Sequence, residues 1–229
     1  MALVAGLALA PWPALFAEPP AGDPPAPFGS ALGEERILGV IPNYQTVSDP
    51  NNHVAPLTVK EKWKLFVKES SDPYTGASAL LGAALSQSGN GNPKYGQGTM
   101  AYAQRFGAAV TDFGAQNFFS DAVLASLFHQ DPRYFRKGPP AGIVARVWYS
   151  MSRTVITRQD SGRPAFNVSG LLGMSMGIAF SNLYYPSASM NGSVIRSRFG
   201  TSLMGASLGN LLPEFWPDIK AKFFRSKSQ

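Results

Sequence analysis

From Thr58 onward, apolar positions recur at helical spacing. Val59, Trp63, Phe66 and Val67 share one face of a first segment, with Lys60, Lys64 and Lys68 around the other. Thr58 and Glu61 have the spacing of a capping box, and Asp72-Pro73 ends the segment. A second helix is predicted from Gly76 to Gln87, closed by the loop Ser88-Gly89-Asn90-Gly91-Asn92-Pro93. A third runs from Gly98 to His129 and stops before Asp131-Pro132, and a fourth runs from Ala141 to about Thr157. After a turn over Gln159-Asp160-Ser161-Gly162-Arg163-Pro164, a fifth helix spans Asn167 to Tyr184. A sixth spans Ser193 to Leu212, and a short tail helix follows Pro217. Period-two alternation is weak throughout. The expected class is therefore all-α, a bundle of about five to six helices over residues 57–229.

Small residues recur every four positions within these segments. The stripes are Ala103, Gly107, Thr111 and Ala115; Ser169, Gly173, Gly177 and Ser181; and Ser197, Thr201, Gly205 and Gly209. Such spacing lets two helix backbones approach closely. Glycine inside a helix costs about 1 kcal/mol relative to alanine, so the pairs Gly173/Gly177 and Gly205/Gly209 are expected at helix–helix contacts.

The amino terminus differs from the body. Residues 1–17 are uncharged and combine an apolar run with a small-residue end, which resembles a secretory signal sequence. Residues 18–56 are rich in proline and read as a linker or extended arm. One apolar island, Arg36 to Tyr44, is expected as a short strand or an extended stretch laid on the body. The folded unit is expected to begin near Arg36 or Pro56.

Composition changes the picture in three ways. Charged residues make up only 15% of the chain, and the net charge is +6. Residues 164–195 hold no charged side chain, and neither do 73–93 or 199–213. Such runs point toward a membrane. Against spanning helices stand a mean hydropathy of −0.06 and the acids Asp112 and Asp121 within the third helix. A soluble or peripherally bound bundle, one to three membrane spans and a small outer-membrane barrel all remain open at this point. The tail from Glu214 to Arg225 interleaves Phe215, Trp216, Phe223 and Phe224 with Lys220, Lys222 and Arg225, a composition suited to the water–lipid interface.

Candidate chemistry is sparse. There is no cysteine and there are two histidines, His53 and His129, so thiolate nucleophiles and histidine metal clusters lack material. No phosphate-binding loop, zinc-protease or calcium-loop pattern occurs, and no cofactor is expected. Two G-x-S-x-G matches, centred on Ser175 and Ser207, lie in helical runs with no histidine after them, unlike a hydrolase elbow. Nucleic acid is not expected as a partner, because no basic stripe with interleaved aromatics precedes the tail. The densest polar cluster runs from His129 through Asp131, Arg133 and Arg136, with Arg153 and Arg158 following. Planar guanidinium forks bind phosphate or carboxylate, which makes these six residues a candidate anion or lipid-headgroup site. The competing reading is structural: Asp131 and Arg133 tie the end of the third helix to the turn around Asp160.

The strings Gln130-Asp131-Pro132-Arg133-Tyr134-Phe135, Ser152-Arg153-Thr154, Thr157-Arg158, Asp160-Ser161-Gly162, Asn167, Tyr184-Tyr185-Pro186 and Glu214-Phe215-Trp216-Pro217-Asp218-Ile219 resemble a family of exported, helical bacterial envelope proteins. The resemblance spans Arg36 to Phe224. It implies export to the periplasm or outer membrane and supplies no activity. Three functions follow as expectations. The first is a non-enzymatic envelope protein associated with membrane lipid or another envelope protein, with oligomers allowed. The second is an enzyme acting on a lipid or phosphate ester around His129. The third is a secreted helical binding protein.

Overall fold

A computed structural model describes residues 35–48 and 54–223. The expected signal sequence, most of the proline-rich arm, and the tail residues Phe224 and Arg225 lie outside the described residues.

The protein is mostly helical, but it is not purely all-α. Helix α1 (Val59–Ser70) starts on the expected capping box, in which the Thr58 side chain accepts from Glu61 N–H and the Glu61 side chain accepts from Thr58 N–H. Asp72 does more than end α1. Its carboxylate accepts from Tyr74 N–H at 2.8 Å and so caps α2 (Pro73–Ser88), with proline at the first position. The third helical stretch is not one α-helix: α3 (Thr99–Asn117) passes into a π-helical segment, Phe118–Leu124, and then a single turn, α4 (Ala125–Leu127). His129 adopts a left-handed φ of 53° and turns the chain out of the helix. Asn167 caps α6 (Val168–Ser181) and Asn191 caps α7 (Gly192–Gly209). The tail helix α8 (Leu211–Phe223) begins before Pro217 and runs through it.

Short strands correct the all-α expectation. The fourth helix ends early, at α5 (Ile143–Ser152), because Ile156–Gln159 is a strand, β6. It pairs antiparallel with β4 (Gln130–Asp131) on one side and β7 (Pro164–Phe166) on the other, and the expected turn at 159–164 is the hairpin joining β6 to β7. The apolar island forms a small hairpin, β1 (Arg36–Ile37) with β2 (Ile41–Pro42). Beyond it β3 (Thr46–Val47) pairs parallel with β5 (Tyr134–Phe135). The described part of the arm is thus stitched to the body, with Arg36 bound to Asp72 at 2.7 Å and Tyr44 buried against Leu57 and Leu65. Most of these strands are two or three residues long, too short for a period to show in the sequence.

The small-residue stripes divide cleanly. On α6, Ser169, Gly173, Gly177 and Ser181 are all buried against α3 and the π-helical segment. A Cβ at Gly173 would lie 2.6 Å from the Ser120 backbone, and one at Gly177 would lie 3.2 Å from Gln116 Cα. The other two stripes do not pack. Gly107, Gly205 and Gly209 face open space, with nothing near an added Cβ. Gly173→Ala is therefore expected to destabilise by about 1–3 kcal/mol through overpacking. Gly205→Ala should stabilise by about 0.5–1 kcal/mol through helix propensity. Paired urea titrations check both, and equal shifts in the two variants would refute the assignment of the contact.

Candidate functional site

The interior carries the charges. Glu214, in the first turn of α8, is fully buried. One carboxylate oxygen accepts from Gly138 N–H at 3.0 Å and Arg146 Nε at 2.7 Å. The other accepts from the Tyr134 hydroxyl at 2.7 Å and Lys137 N–H at 2.9 Å. Arg136 and Arg146 also donate to the Glu214 carbonyl, and both reach Asp218 one turn later. Four donors on one carboxylate explain how the ion is tolerated without water. Burial and the Glu214 charge push the Tyr134 hydroxyl far above the ordinary tyrosine range, so it stays a donor.

Beside this hub, Asp131 and Arg133 form a buried pair, joined at 2.9 Å and 2.6 Å through Nε and Nη2. Asp131 O accepts from the Thr157 hydroxyl at 3.0 Å. The loop is tied to the turn at Asp160, but not by an arginine. Asp160 pairs with Lys62 of α1 at 2.7 Å, and its N–H donates to His129 O at 2.8 Å. The His129 side chain is 80% exposed, with Nδ1 3.8 Å from Asp160.

The six candidate residues are therefore sorted into different places. Arg136 belongs to the Glu214–Asp218 network. Asp131 is committed to Arg133, and His129 stands at the surface. Arg133, Arg153 and Arg158 line a common cavity of about 120 Å³, shared with Thr157, Asn167 and Ser169. Arg153 sits over Tyr149 with its guanidinium 4.5 Å from the ring centre, and Arg158 sits over Phe135 at 4.2 Å. Burial, with the neighbouring Arg158 charge adding to it, pulls Arg153 below the ordinary arginine range.

A second interior group, absent from the sequence expectations, is the pair Glu69 and Asp121. Both line a larger cavity of about 400 Å³ with Tyr44, Thr46, Asn117 and Tyr134. No N–H or O–H of the described residues reaches the Glu69 carboxyl oxygens. The Asp121 carboxyl lies within hydrogen-bonding reach of Glu69, a contact that needs a proton between the two. Burial and then the Asp121 charge push Glu69 well above the carboxylate range. Asp121 is raised by burial to about 6, despite the hydrogen bond at 2.8 Å from Ser120. Asp121 falls in the π-helical segment, whose wider turns commonly mark functional positions. Among the described residues, no cluster of three or more acidic or histidine side chains is placed to hold a metal.

The surface is the counterpart. On α1 the face expected in the core is largely outside: Val59, Trp63 and Val67 are exposed, while Lys62, Leu65 and Glu69 are buried. On α5, Ile143, Val144 and Trp148 face out while Arg146 and Ser150 face in. On α6, Leu172, Met176 and Phe180 form an outer stripe, continued by Leu183 just past the helix, while the buried side holds the Ser/Gly stripe with Met174 and Ile178. Helix α7 has no buried residue and exposes Met204 and Leu208. A ladder of edge-to-face rings also crosses the molecule, through Trp63, Phe118, Phe119, Phe180 and Tyr184, at centre distances of 5.2–6.3 Å. Among the described residues, no helix is long and apolar enough to cross a membrane.

In the tail, Trp216 is buried and Phe215 lies under the Arg146 guanidinium at 4.4 Å, so these two serve the interior. Lys220, Lys222 and Phe223 are exposed. Comparison with known proteins leaves the geometry to stand alone: no protein-family model, curated protein or solved structure matches the chain.

Proposed function

We propose that this is a non-enzymatic, helical protein of the bacterial envelope, exported to the periplasm or outer membrane, whose outer face rests in membrane lipid. The observation that carries the reading is the apolar outer face of α6. Its small residues Ser169, Gly173, Gly177 and Ser181 face protein together with Met174 and Ile178, while Leu172, Met176 and Phe180, and Leu183 just past its end, face outward. A helix in water favours a polar outer face, because burying a leucine- or phenylalanine-sized side chain is worth about 1.5–3 kcal/mol. The exposed apolar side chains on α1 and α5 make an accident of one helix a poor explanation. Lipid on the outside removes the conflict, and an interior ionic hub such as that around Glu214 is then the expected complement. Aromatic rings at the boundary, such as Trp63 and Tyr184, suit the interfacial layer. Export and envelope location rest on the apolar residues 1–17 and on the family resemblance. The enzyme alternative gains little, since the exposed His129 stands beside an Asp160 already paired with Lys62.

Vesicle flotation tests the reading. The protein is expected to float with phosphatidylethanolamine–phosphatidylglycerol vesicles. Met176→Glu with Leu183→Glu, both at exposed positions, should lower partitioning at least about tenfold while leaving the helical circular dichroism unchanged. Wild-type protein remaining in the aqueous fraction, or the double variant floating equally well, would overturn the proposal.

A further inference from the structure

We infer that the cavity between Arg153 and Arg158 is a binding site for a phosphate-class oxyanion, either a free phosphate or the phosphomonoester headgroup of a lipid. Arg153 caps the C-terminal end of α5 and Arg158 lies in β6, so the short connection between them brings both guanidinium groups to one cavity.

Their surroundings leave them without a counter-ion. Arg133, on the same wall, is engaged by Asp131 and by Ala55 O. Arg153 and Arg158 pair with no carboxylate among the described residues; each is held by an aromatic face, Tyr149 and Phe135 respectively. Arg153 Nε is shielded from solvent and has no hydrogen-bond partner. Elsewhere in this interior arginines are held by oxygens: Arg105 is wrapped by the neutral acceptors of Gln87, Asn90, Gly91, Pro93 and Gly96, and Arg146 meets Glu214 and Asp218. Arg153 and Arg158 differ in standing side by side, repelling each other, with aromatic faces in place of such oxygens among the described residues.

The cavity suits an anion in shape and in lining. At about 120 Å³ it has room for several waters, hence for a tetrahedral oxyanion. Two planar forks from different elements match its oxygens. The α6 N-terminus, at Asn167, Ser169 and Gly170, lines the same space and adds a favourable dipole. The acid in the lining, Asp121, is engaged by Ser120 and Glu69 instead of by these arginines. The aromatic shelves order both side chains, so less entropy is lost on binding.

The inference goes beyond the lipid-facing reading and stands without it. The test follows thermal melting of the full chain at constant ionic strength with inorganic phosphate added in place of chloride. Vesicles of phosphatidylcholine, with and without phosphatidic acid, form the second arm. Wild type is expected to gain melting temperature saturably with phosphate, with phosphatidic acid vesicles, or with both. Phosphate alone assigns the site to the free ion, and phosphatidic acid alone assigns it to the headgroup. Arg153→Gln and Arg158→Gln should each raise the half-saturating concentration at least tenfold, and Arg196→Gln on the exposed start of α7 should leave it unchanged. Without anion, Arg153→Gln should melt no lower than wild type, since it removes an uncompensated charge. Saturation that survives in both arginine variants, or no response to either phosphate source, overturns the site. So does a loss of anion-free stability in Arg153→Gln that Arg153→Lys restores, because Arg153 would then be structural.

Discussion

Replacing Glu214 by alanine is expected to cost about 3–5 kcal/mol, the largest loss of any single substitution of a charged residue in this protein. The carboxylate is fully buried and accepts four hydrogen bonds, two from backbone N–H groups and two from Tyr134 and Arg146. Alanine would leave all four donors in a dry site. It would also remove the charge that balances Arg146, with only Asp218 left to share between Arg136 and Arg146. Glu214→Gln separates shape from charge. The amide fills the space but places an NH2 group against donors, so about half the loss is expected to remain. Urea unfolding at neutral pH reads both values. A loss under about 1 kcal/mol for Glu214→Ala would mean that the network relaxes around water and that α8 is not anchored by it. The consequence reaches β5 and α5 as well as α8, since Tyr134 and Arg146 belong to those elements.

Which parts of this design are readable from residue order follows from the physics of each signal. The capping box at Thr58 and the asparagine caps are local, and local chemistry set those helix starts. The Gly173/Gly177 contact was readable because glycine in a helix is costly without a close neighbour. The same rule misassigned Gly205 and Gly209, whose cost nothing nearby offsets. Periodicity did not locate the buried face of α1: it set Val59, Trp63 and Val67 against Lys60, Lys64 and Lys68, yet all six are exposed and the buried side is Lys62, Leu65 and Glu69, because the pattern is silent about which medium lies on either side. The candidate arginines were found by type, whereas their partition among three environments depends on partners far along the chain. Glu214 lies 68 residues from Arg146, and Asp160 lies 98 from Lys62. Two-residue strands such as β3 and β5 carry no period at all, and their parallel pairing joins segments that no short window connects.

Glu69→Gln is expected to stabilise the protein at pH 8 and to do nothing, or slightly harm it, at pH 4. Glu69 and Asp121 face each other with no neutralising cation among the described residues, and Glu69 is held well above its ordinary value of 4.5 by burial and by the Asp121 charge. The folded state therefore binds more protons than the unfolded state over the window that opens near 4.5. Unfolding free energy falls with rising pH wherever the folded state holds the extra protons. Below the window both states are protonated, and the pair carries no penalty. As pH climbs past about 6, the Asp121 value, the shared proton becomes harder to keep and the folded state bears the cost. A glutamine at position 69 supplies a permanent N–H donor to Asp121 in place of that proton. The expected gain at pH 8 is about 1–3 kcal/mol, the scale of satisfying a buried charged acceptor. Asp72 and Glu61 have depressed values and lose their contribution in acid, the opposite trend, so wild type alone gives a mixed profile. The difference between variant and wild type, from urea midpoints at pH 4 to 8, isolates position 69. A difference that stays constant over that range would show that the two carboxylates do not share a proton, and that Glu69 is neutralised by some other contact.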